Sequence, residues 1–277
     1  MPLKILILAA GYGTRLQRDI LADPTQQFKN RLNTPKPLLP LGPNNDALLT
    51  YWLNIFREAK IEIATAVFIV TNALYYPQFV SWAQEQGVPT QNIVSDGTET
   101  NETRVGAVGD VAFAVKHFGW FKDTWSKENV DLCIIAGDTL FQKGFPFEKL
   151  WRVYEKKCKK EYDASLVTTH HVSDEEVSKF GILSLEEEME EPEKTISRNA
   201  CPCFYFFRRE MVGLLRVFLQ ESEQRGDPLD KRDAIGKVLA WGINGGLETF
   251  YAVRVEGRID VGDLQGYIEA RKYFENI

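Results

Sequence analysis

Apolar residues open the chain as a near-continuous run, Leu3-Lys4-Ile5-Leu6-Ile7-Leu8, which breaks off at Ala9-Ala10-Gly11-Tyr12-Gly13. A run without alternation reads as a strand buried on both faces, followed by a loop of small residues. Farther on, Asp46 precedes apolar positions at helical spacing and predicts a helix over 46–56. A β-branched run predicts a strand over 65–71, and 76–86 reads as a helix stopped by Gly87. A short strand over 92–95 leads into Ser95-Asp96-Gly97-Thr98, a turn or binding loop, and 104–117 returns to helical spacing. The next long apolar run, Val130-Asp131-Leu132-Cys133-Ile134-Ile135-Ala136, ends at Gly137-Asp138.

Strands that alternate with helices predict an α/β fold, a doubly wound, mostly parallel mixed sheet flanked by helices. Ligands in such sheets sit beyond the carboxyl ends of the strands. The loop after Leu8 and the acid after Ala136 are therefore expected on one edge. The second half is richer in strands, expected over 163–169, 180–185, 203–207 and 249–255. Helices are expected over 210–221, over 232–241 with Gly242 as the stop, and over 263–274, and 257–262 reads as a loop. The stretch 17–34 carries Asp19, Asp23, Lys29 and Arg31 without apolar periodicity and reads as an exposed insertion.

Composition narrows the function more than the fold. The 277 residues are 44% hydrophobic and 26% charged, ordinary for a globular chain with a large core. The net charge of −6 argues against broad binding to nucleic acid or to an anionic membrane, so a phosphate site has to be local. No apolar stretch approaches the ~20 residues that cross a bilayer. Four cysteines (Cys133, Cys158, Cys201 and Cys203) are too few for a disulfide scaffold and fit a reducing, cytoplasmic setting. Cys201-Pro202-Cys203 forms no metal-ligand spacing with His117, His170 or His171.

The glycine loop is the first candidate for chemistry. Small side chains let backbone N–H groups approach an anion, and Arg15 with Lys36, held between Pro35 and Pro37, adds full positive charge. Two familiar phosphate loops do not fit. Leu16 stands where the dinucleotide fingerprint needs its third glycine, and no Gly-Lys-Ser/Thr run occurs anywhere in the chain. Asp138 is the second candidate, although an Asp at a strand end also serves as a turn cap.

Taken together, Leu8-Ala9-Ala10-Gly11-Tyr12-Gly13-Thr14-Arg15-Leu16 and Pro35-Lys36-Pro37-Leu38-Leu39-Pro40 resemble the signature of the sugar-1-phosphate nucleotidyltransferases. The connection 17–34 is longer than that family usually has. The resemblance implies a GT-A-like domain over 1–277, with a nucleotide-binding half, 1–140, and an acceptor half, 141–277. It implies a reaction between an NTP and a sugar 1-phosphate, with Mg²⁺ as cofactor and with neither nucleic acid nor membrane as partner; it leaves room for a homo-oligomer.

Residue by residue, the resemblance makes Arg15, Lys36 and Asp138 catalytic. It puts Ala9, Ala10, Gly11, Gly13, Thr14, Ser95 and Gly106 around the nucleotide. Asp138 and Asp260, the latter in Gly257-Arg258-Ile259-Asp260-Val261-Gly262, become the Mg²⁺ ligands. On the acceptor side it points to Gly181, Glu190, Lys194 and Asn199. There the chain departs from the pattern, since Glu190-Glu191-Pro192 stands where the family has Glu-Lys-Pro. That departure keeps two alternatives open: a non-sugar phosphate acceptor such as phosphocholine, and a regulatory paralogue that binds a nucleotide sugar without turning it over.

Overall fold

The computed structural model describes residues 3–122, 130–175, 177, 182–184 and 197–276. The chain starts with β1 (Leu3–Ala9), the glycine loop and α1 (Thr14–Ala22). A small ladder of β2 (Pro40–Leu41) and β3 (Asp46–Ala47) precedes α2 (Leu48–Glu58), the short α3 (Ile63–Ala66) and β4 (Val67–Thr71). Next come α4 (Tyr76–Gln86), β5 (Ile93–Ser95), α5 (Gly106–His117), β6 (Asp131–Ala136) and β7 (Thr139–Phe141). Helix α6 (Phe147–Val153) widens into a π-helical stretch, Tyr154–Tyr162. Beyond it lie β8 (Ser165–His171), β9 (Ile182–Leu183), β10 (Asn199–Ala200) and β11 (Phe204–Phe207). The chain then forms α7 (Arg209–Arg225), α8 (Ile235–Asn244), β12 (Phe250–Arg254), β13 (Arg258–Asp260) and α9 (Leu264–Glu275).

One sheet runs β5-β4-β1-β6-β11-β8-β10-β9, with β12 also paired to β8. Strands β5, β4, β1 and β6 are parallel, β11 is antiparallel between β6 and β8, and β12 is parallel to β8. This is the mostly parallel mixed α/β sheet that the sequence predicts. Successive side chains of a strand point to opposite faces, so a strand buried on both sides feeds two cores. Ile5, Ile7, Cys133, Ile135, Phe204 and Phe206 pack under α1, α2, α4, α6 and α9. Leu6, Leu132, Ile134, Tyr205 and Phe207 pack under α5, α7 and α8. No helix among the described residues is long and apolar enough to cross a membrane.

Several expectations need correction. The stretch 17–34 is not an exposed insertion: Ile20 and Phe28 are buried, and α1 extends to Ala22 with Leu16 and Ile20 one turn apart on its inner face. Phe28 meets Tyr267 of α9 edge to face at 5.5 Å. Gly242 does not end its helix; it lies buried inside α8, with Glu248 and Phe250 in ordinary contact distance of its Cα face. The residues 257–262 are not simply a loop, because β13 pairs antiparallel with β7. Half of the expected strand over 180–185 falls outside the described residues, which show β9 within it.

The indole of Trp52 anchors this architecture close to the functional edge. It is fully buried, stacks on Phe56 and Phe204 at 5.6 and 5.8 Å, and donates from Nε1 to the Thr139 carbonyl oxygen at 2.8 Å. Replacing Trp52 with Ala is expected to lower unfolding free energy by about 3–5 kcal/mol, the range for emptying a large aromatic site. Urea unfolding measures this.

Candidate active site

Four parallel strands deliver their carboxyl ends to one edge, and the predicted residues of the first half gather there. The glycine loop leaves β1 at Ala9, whose carbonyl accepts from Thr71 Oγ1 at 3.3 Å, and the Ala10 carbonyl accepts from Asn72 Nδ2 at 2.9 Å. With these carbonyls tied back to the end of β4, the loop fixes its path between β1 and α1. Gly11 is exposed with open space beside it, and Gly13 precedes α1 in the left-handed conformation. Thr14 and Arg15 form the exposed first turn of α1, where helix N–H groups lack intrahelical acceptors. Arg15 therefore belongs to a helix start and not to the loop itself.

Lys36 reaches this loop from below. Pro35 and Pro37 restrict the backbone to a single 3₁₀ turn, Lys36–Leu38, with Pro37 buried. The Lys36 stem passes Gly13, and its Nζ lies 3.3 Å from Asp138 Oδ2. Asp138 is positioned by Gly137, whose N–H donates to the Leu8 carbonyl oxygen at 2.8 Å. A Cβ at Gly137 would sit 2.8 Å from that oxygen and 2.9 Å from Pro37 Cγ, so only glycine lets β6, β1 and the proline turn meet this closely.

Asp260 joins them through strand pairing. It opposes Thr139 in the β7–β13 ladder, and the next N–H, of Val261, donates to the Asp138 carbonyl oxygen at 3.0 Å. The first turn of α9 is packed against the same strand. Asp263 accepts from the Gly266 N–H at 2.9 Å, and a Cβ at Gly266 would lie 2.3 Å from the Asp260 carbonyl oxygen. Burial raises the Asp260 carboxyl above its ordinary range and Asp138 pushes it the same way, while Arg258 and Lys36 pull it down. Arg258 Nη2 is 2.9 Å from Asp260 Oδ2. Arg15 also reaches this end of the cleft: Arg15 Nη2 and Asp260 Oδ2 each lie 3.4 Å from where a Gly262 Cβ would stand.

Asp138 and Asp260 offer hard oxygen donors held by one backbone ladder, each half-buried and each felt electrostatically by the other. Mg²⁺ is commonly held by one or two carboxylates plus substrate phosphates, so this donor set fits it. Among the described residues no group of three or more His, Cys, Asp or Glu side chains forms a metal cluster.

Beside the loop, Tyr12 donates to Thr98 Oγ1 at 2.8 Å, and Thr98 Oγ1 donates to Asp96 Oδ1 at 2.8 Å. Asp96 in turn adjoins Asp110 of α5, which is buried with its Oδ1 lacking a partner. Burial, with Asp96 alongside, pushes the Asp110 carboxyl up to about 8. Ser95 ends β5, with its Oγ accepting from the Gly97 N–H at 3.1 Å. Gly106 starts α5, but its Cα face is packed on Asp233, where a Cβ would meet the Asp233 Cβ at 2.6 Å. The Asp233 carbonyl oxygen also accepts from the Val108 N–H at 3.1 Å.

On the acceptor side, Asn199 is buried in β10, paired with His171 at the carboxyl end of β8, and donates from Nδ2 to Ser197 Oγ at 3.1 Å. Gly181, Glu190 and Lys194 lie outside the described residues. Sequence reasoning passed over Arg258 and Asp110. Once β13 is seen as a strand, Arg258 and Asp260 fall on one face and Ile259 on the other, but three residues are too few to show that alternation in the sequence.

An edge where a glycine loop, a helix start, a lysine and two carboxylates converge defines a protein that handles phosphate groups on an α/β sheet. The chain belongs to the nucleotidyl transferase family, whose model matches residues 4–276. No curated protein matches it. Among solved structures it is similar to a protein assigned as a glucose-1-phosphate thymidylyltransferase from Bacillus anthracis, in complex with sucrose. That pair is 18% identical over 99% of this chain and 96% of the other, with a TM-score of 0.67. A UDP-glucose pyrophosphorylase complexed with UDP-glucose is 21% identical over 100% and 99%, TM-score 0.65. A UTP-bound enzyme of that kind from Acinetobacter baumannii is 16% identical over 99% and 93%, TM-score 0.63. At these identities the likeness is one of fold.

Two variants test the geometry. Gly137→Ala is expected to cost about 1–3 kcal/mol of stability by overpacking and to lower activity, read by urea unfolding beside a rate assay. The second concerns Asp110. With its folded-state pKa about 8, above the ordinary value of 3.8, the folded protein keeps a proton that the unfolded chain has already lost between those pH values. Stability from this group therefore falls as pH rises from about 4 to about 8 and is level above. Asp110→Asn should melt at least ~4 °C higher than the parent at pH 8, with the gap closing toward pH 4, in thermal scans across pH.

Proposed function

We propose that this chain joins a nucleoside triphosphate to a sugar 1-phosphate, giving a nucleotide sugar and pyrophosphate. The observation that carries this reading is the meeting of Lys36, Asp138 and Asp260 under the glycine loop, at the carboxyl edge of the sheet. The names of the similar structures agree with it: two are UDP-glucose pyrophosphorylases, one with UTP and one with UDP-glucose bound.

In this mechanism an oxygen of the acceptor phosphate attacks the α-phosphorus of the triphosphate in line, and the bond to the pyrophosphate oxygen breaks. The chain needs no covalent intermediate, because positioning and charge stabilisation supply most of the acceleration. Amides of the glycine loop and of the α1 start cradle the triphosphate, with Ala9, Ala10, Gly11, Gly13 and Thr14 in contact. Arg15 stabilises charge on the departing pyrophosphate, and Lys36 stabilises charge at the α-phosphate. Ser95 and the adjoining loop border the nucleoside, and Asn199 borders the acceptor. Asp138 and Asp260 hold Mg²⁺, which when bound neutralises phosphate charge. The free cysteines suit a reducing cytoplasm.

The test is pyrophosphate release with each NTP and a panel of sugar 1-phosphates and phosphocholine, in Mg²⁺. Turnover with a sugar 1-phosphate is expected, and chelating the metal should stop it. Asp138→Asn should lower kcat by about 100-fold or more with an unchanged melting profile; near-parental activity would remove Asp138 from the mechanism. Glu191 in the Glu190-Glu191-Pro192 run favours a second reading, a nucleotide-sugar sensor. Tight binding with no pyrophosphate release across the panel would support that instead.

A further inference from the structure

One of the ties that hold the glycine loop crosses to a strand that is not its neighbour. In the sheet β4 lies between β1 and β5, and the backbone ladders end with Ala9 opposite Thr71 and Thr71 opposite Ser95. The loops that follow β1 and β5 therefore start two strand spacings apart, roughly 9–10 Å. Tyr12 bridges them, its hydroxyl donating to Thr98 Oγ1 at 2.8 Å. Both residues are buried, Tyr12 at 7% and Thr98 at 8% exposure.

The bond has a fixed direction. Asp96 Oδ1 accepts from the Thr98 N–H and from Thr98 Oγ1, each at 2.8 Å. With the threonine proton committed to that carboxylate, the lone pairs of Oγ1 are left for the tyrosine proton. The turn is anchored to β4 as well: the Asp96 N–H donates to the Thr71 carbonyl oxygen, and the Ala73 N–H donates to that of Thr98, both at 2.8 Å.

A buried tyrosine hydroxyl finds a partner as a rule, so a bond by itself shows only that the group is satisfied. The other ties of the loop say more. The carbonyls of Ala9 and Ala10 are held by Thr71 and Asn72, and that of Tyr12 accepts from Tyr75 Oη at 3.4 Å. These bonds keep the cradle in shape without the Tyr12 hydroxyl. What the hydroxyl adds is the spacing between the cradle and the turn 95–98. A nucleoside triphosphate spans both; inorganic tripolyphosphate spans the cradle alone.

We propose that Tyr12 is a positioning residue that sets the turn 95–98 against the glycine loop, so that the nucleoside and the triphosphate of one substrate are gripped together. This rests on the transferase reading, which puts the nucleoside beside Ser95.

Calorimetric titration in Mg²⁺ tests it, with ATP, CTP, GTP, UTP and dTTP in turn and with inorganic tripolyphosphate. Tyr12→Phe keeps the ring and drops the hydroxyl. It should weaken the tightest-binding nucleotide roughly 3- to 10-fold, the loss of one buried hydrogen bond, and leave tripolyphosphate unchanged. Thr98→Val should weaken that nucleotide at least as much, while Thr98→Ser, which retains the hydroxyl, should bind it like the parent. Tyr12→Phe combined with Thr98→Val should lose no more than Thr98→Val alone, because both remove one shared bond. Equal weakening of nucleotide and tripolyphosphate would make Tyr12 a structural support of the cradle and overturn the proposal. Unchanged nucleotide affinity in Tyr12→Phe, additive losses in the double variant, or no nucleotide binding by the parent would overturn it too. The selective loss, without pyrophosphate release from any NTP across the acceptor panel, would retain this inference and sink the transferase reading. Turnover by the parent with equal losses in the variants would do the reverse.

Discussion

The pairing of two three-residue strands governs the chemistry of this protein. The β7–β13 ladder sets Asp260 opposite Thr139 and joins Val261 to the carbonyl of Asp138, so acids separated widely in sequence share one backbone frame. Neither acid could choose this neighbourhood alone. Two carboxylates repel, and burial already holds the Asp260 carboxyl above its ordinary range. Backbone hydrogen bonds impose the closeness, and the surrounding cations make it tolerable. Under the proposed reaction, such a cleft would suit a polyanion that arrives with its own positive counter-ion.

The rest of the fold supplies rigidity behind that ladder. Trp52 ties the carbonyl of Thr139 to the aromatic cluster of Phe56, Phe141 and Phe204, so the strand bearing the site is braced from the core side. The close approach at Gly137 brings the proline turn and β1 against the same point. Farther out, buried Glu248 accepts from the Ser165 N–H and hydroxyl and pairs with Arg208, which closes β12 onto β8 at the opposite end of these strands. Arg208 also pairs with Asp163 there. Polar groups are thus spent at both ends of the sheet, while its middle is apolar on both faces.

Strong local signals in the sequence translated directly. Helix α4 and its Gly87 stop, the buried strand β6 and the final helix all follow from periodicity and caps, with ends that shift by a residue or two. Short elements did not show. Arg258-Ile259-Asp260 is too brief for a periodic signal, and its strand character comes from a partner more than a hundred residues earlier. Residues 147–162 carried no reading, because the apolar stripe of α6 gives way to the π-helical, lysine-rich Tyr154–Tyr162. Leu16 and Ile20 mark an inner helix face only when read together with the residues before 17, and Phe28 finds its partner on α9. Among site residues, those of the glycine loop and Asp138 were readable because strand ends share an edge. Asp110 depends on tertiary contacts that no spacing rule encodes, and the alternation at Arg258 gains meaning only once β13 is paired with β7.

One contact described for the fold ties the two extremities of the described chain into a single mechanical part. Phe28 meets the edge of Tyr267, Arg271 lies over the Phe28 ring at 5.6 Å, and the Tyr267 hydroxyl donates to the Pro40 carbonyl oxygen at 3.0 Å. The Lys36 turn is thereby latched to α9, and α9 is the helix seated on the backbone of Asp260. The turn that carries Lys36 and the helix behind Asp260 are consequently packed into one unit, with the long connection after α1 serving as their strap.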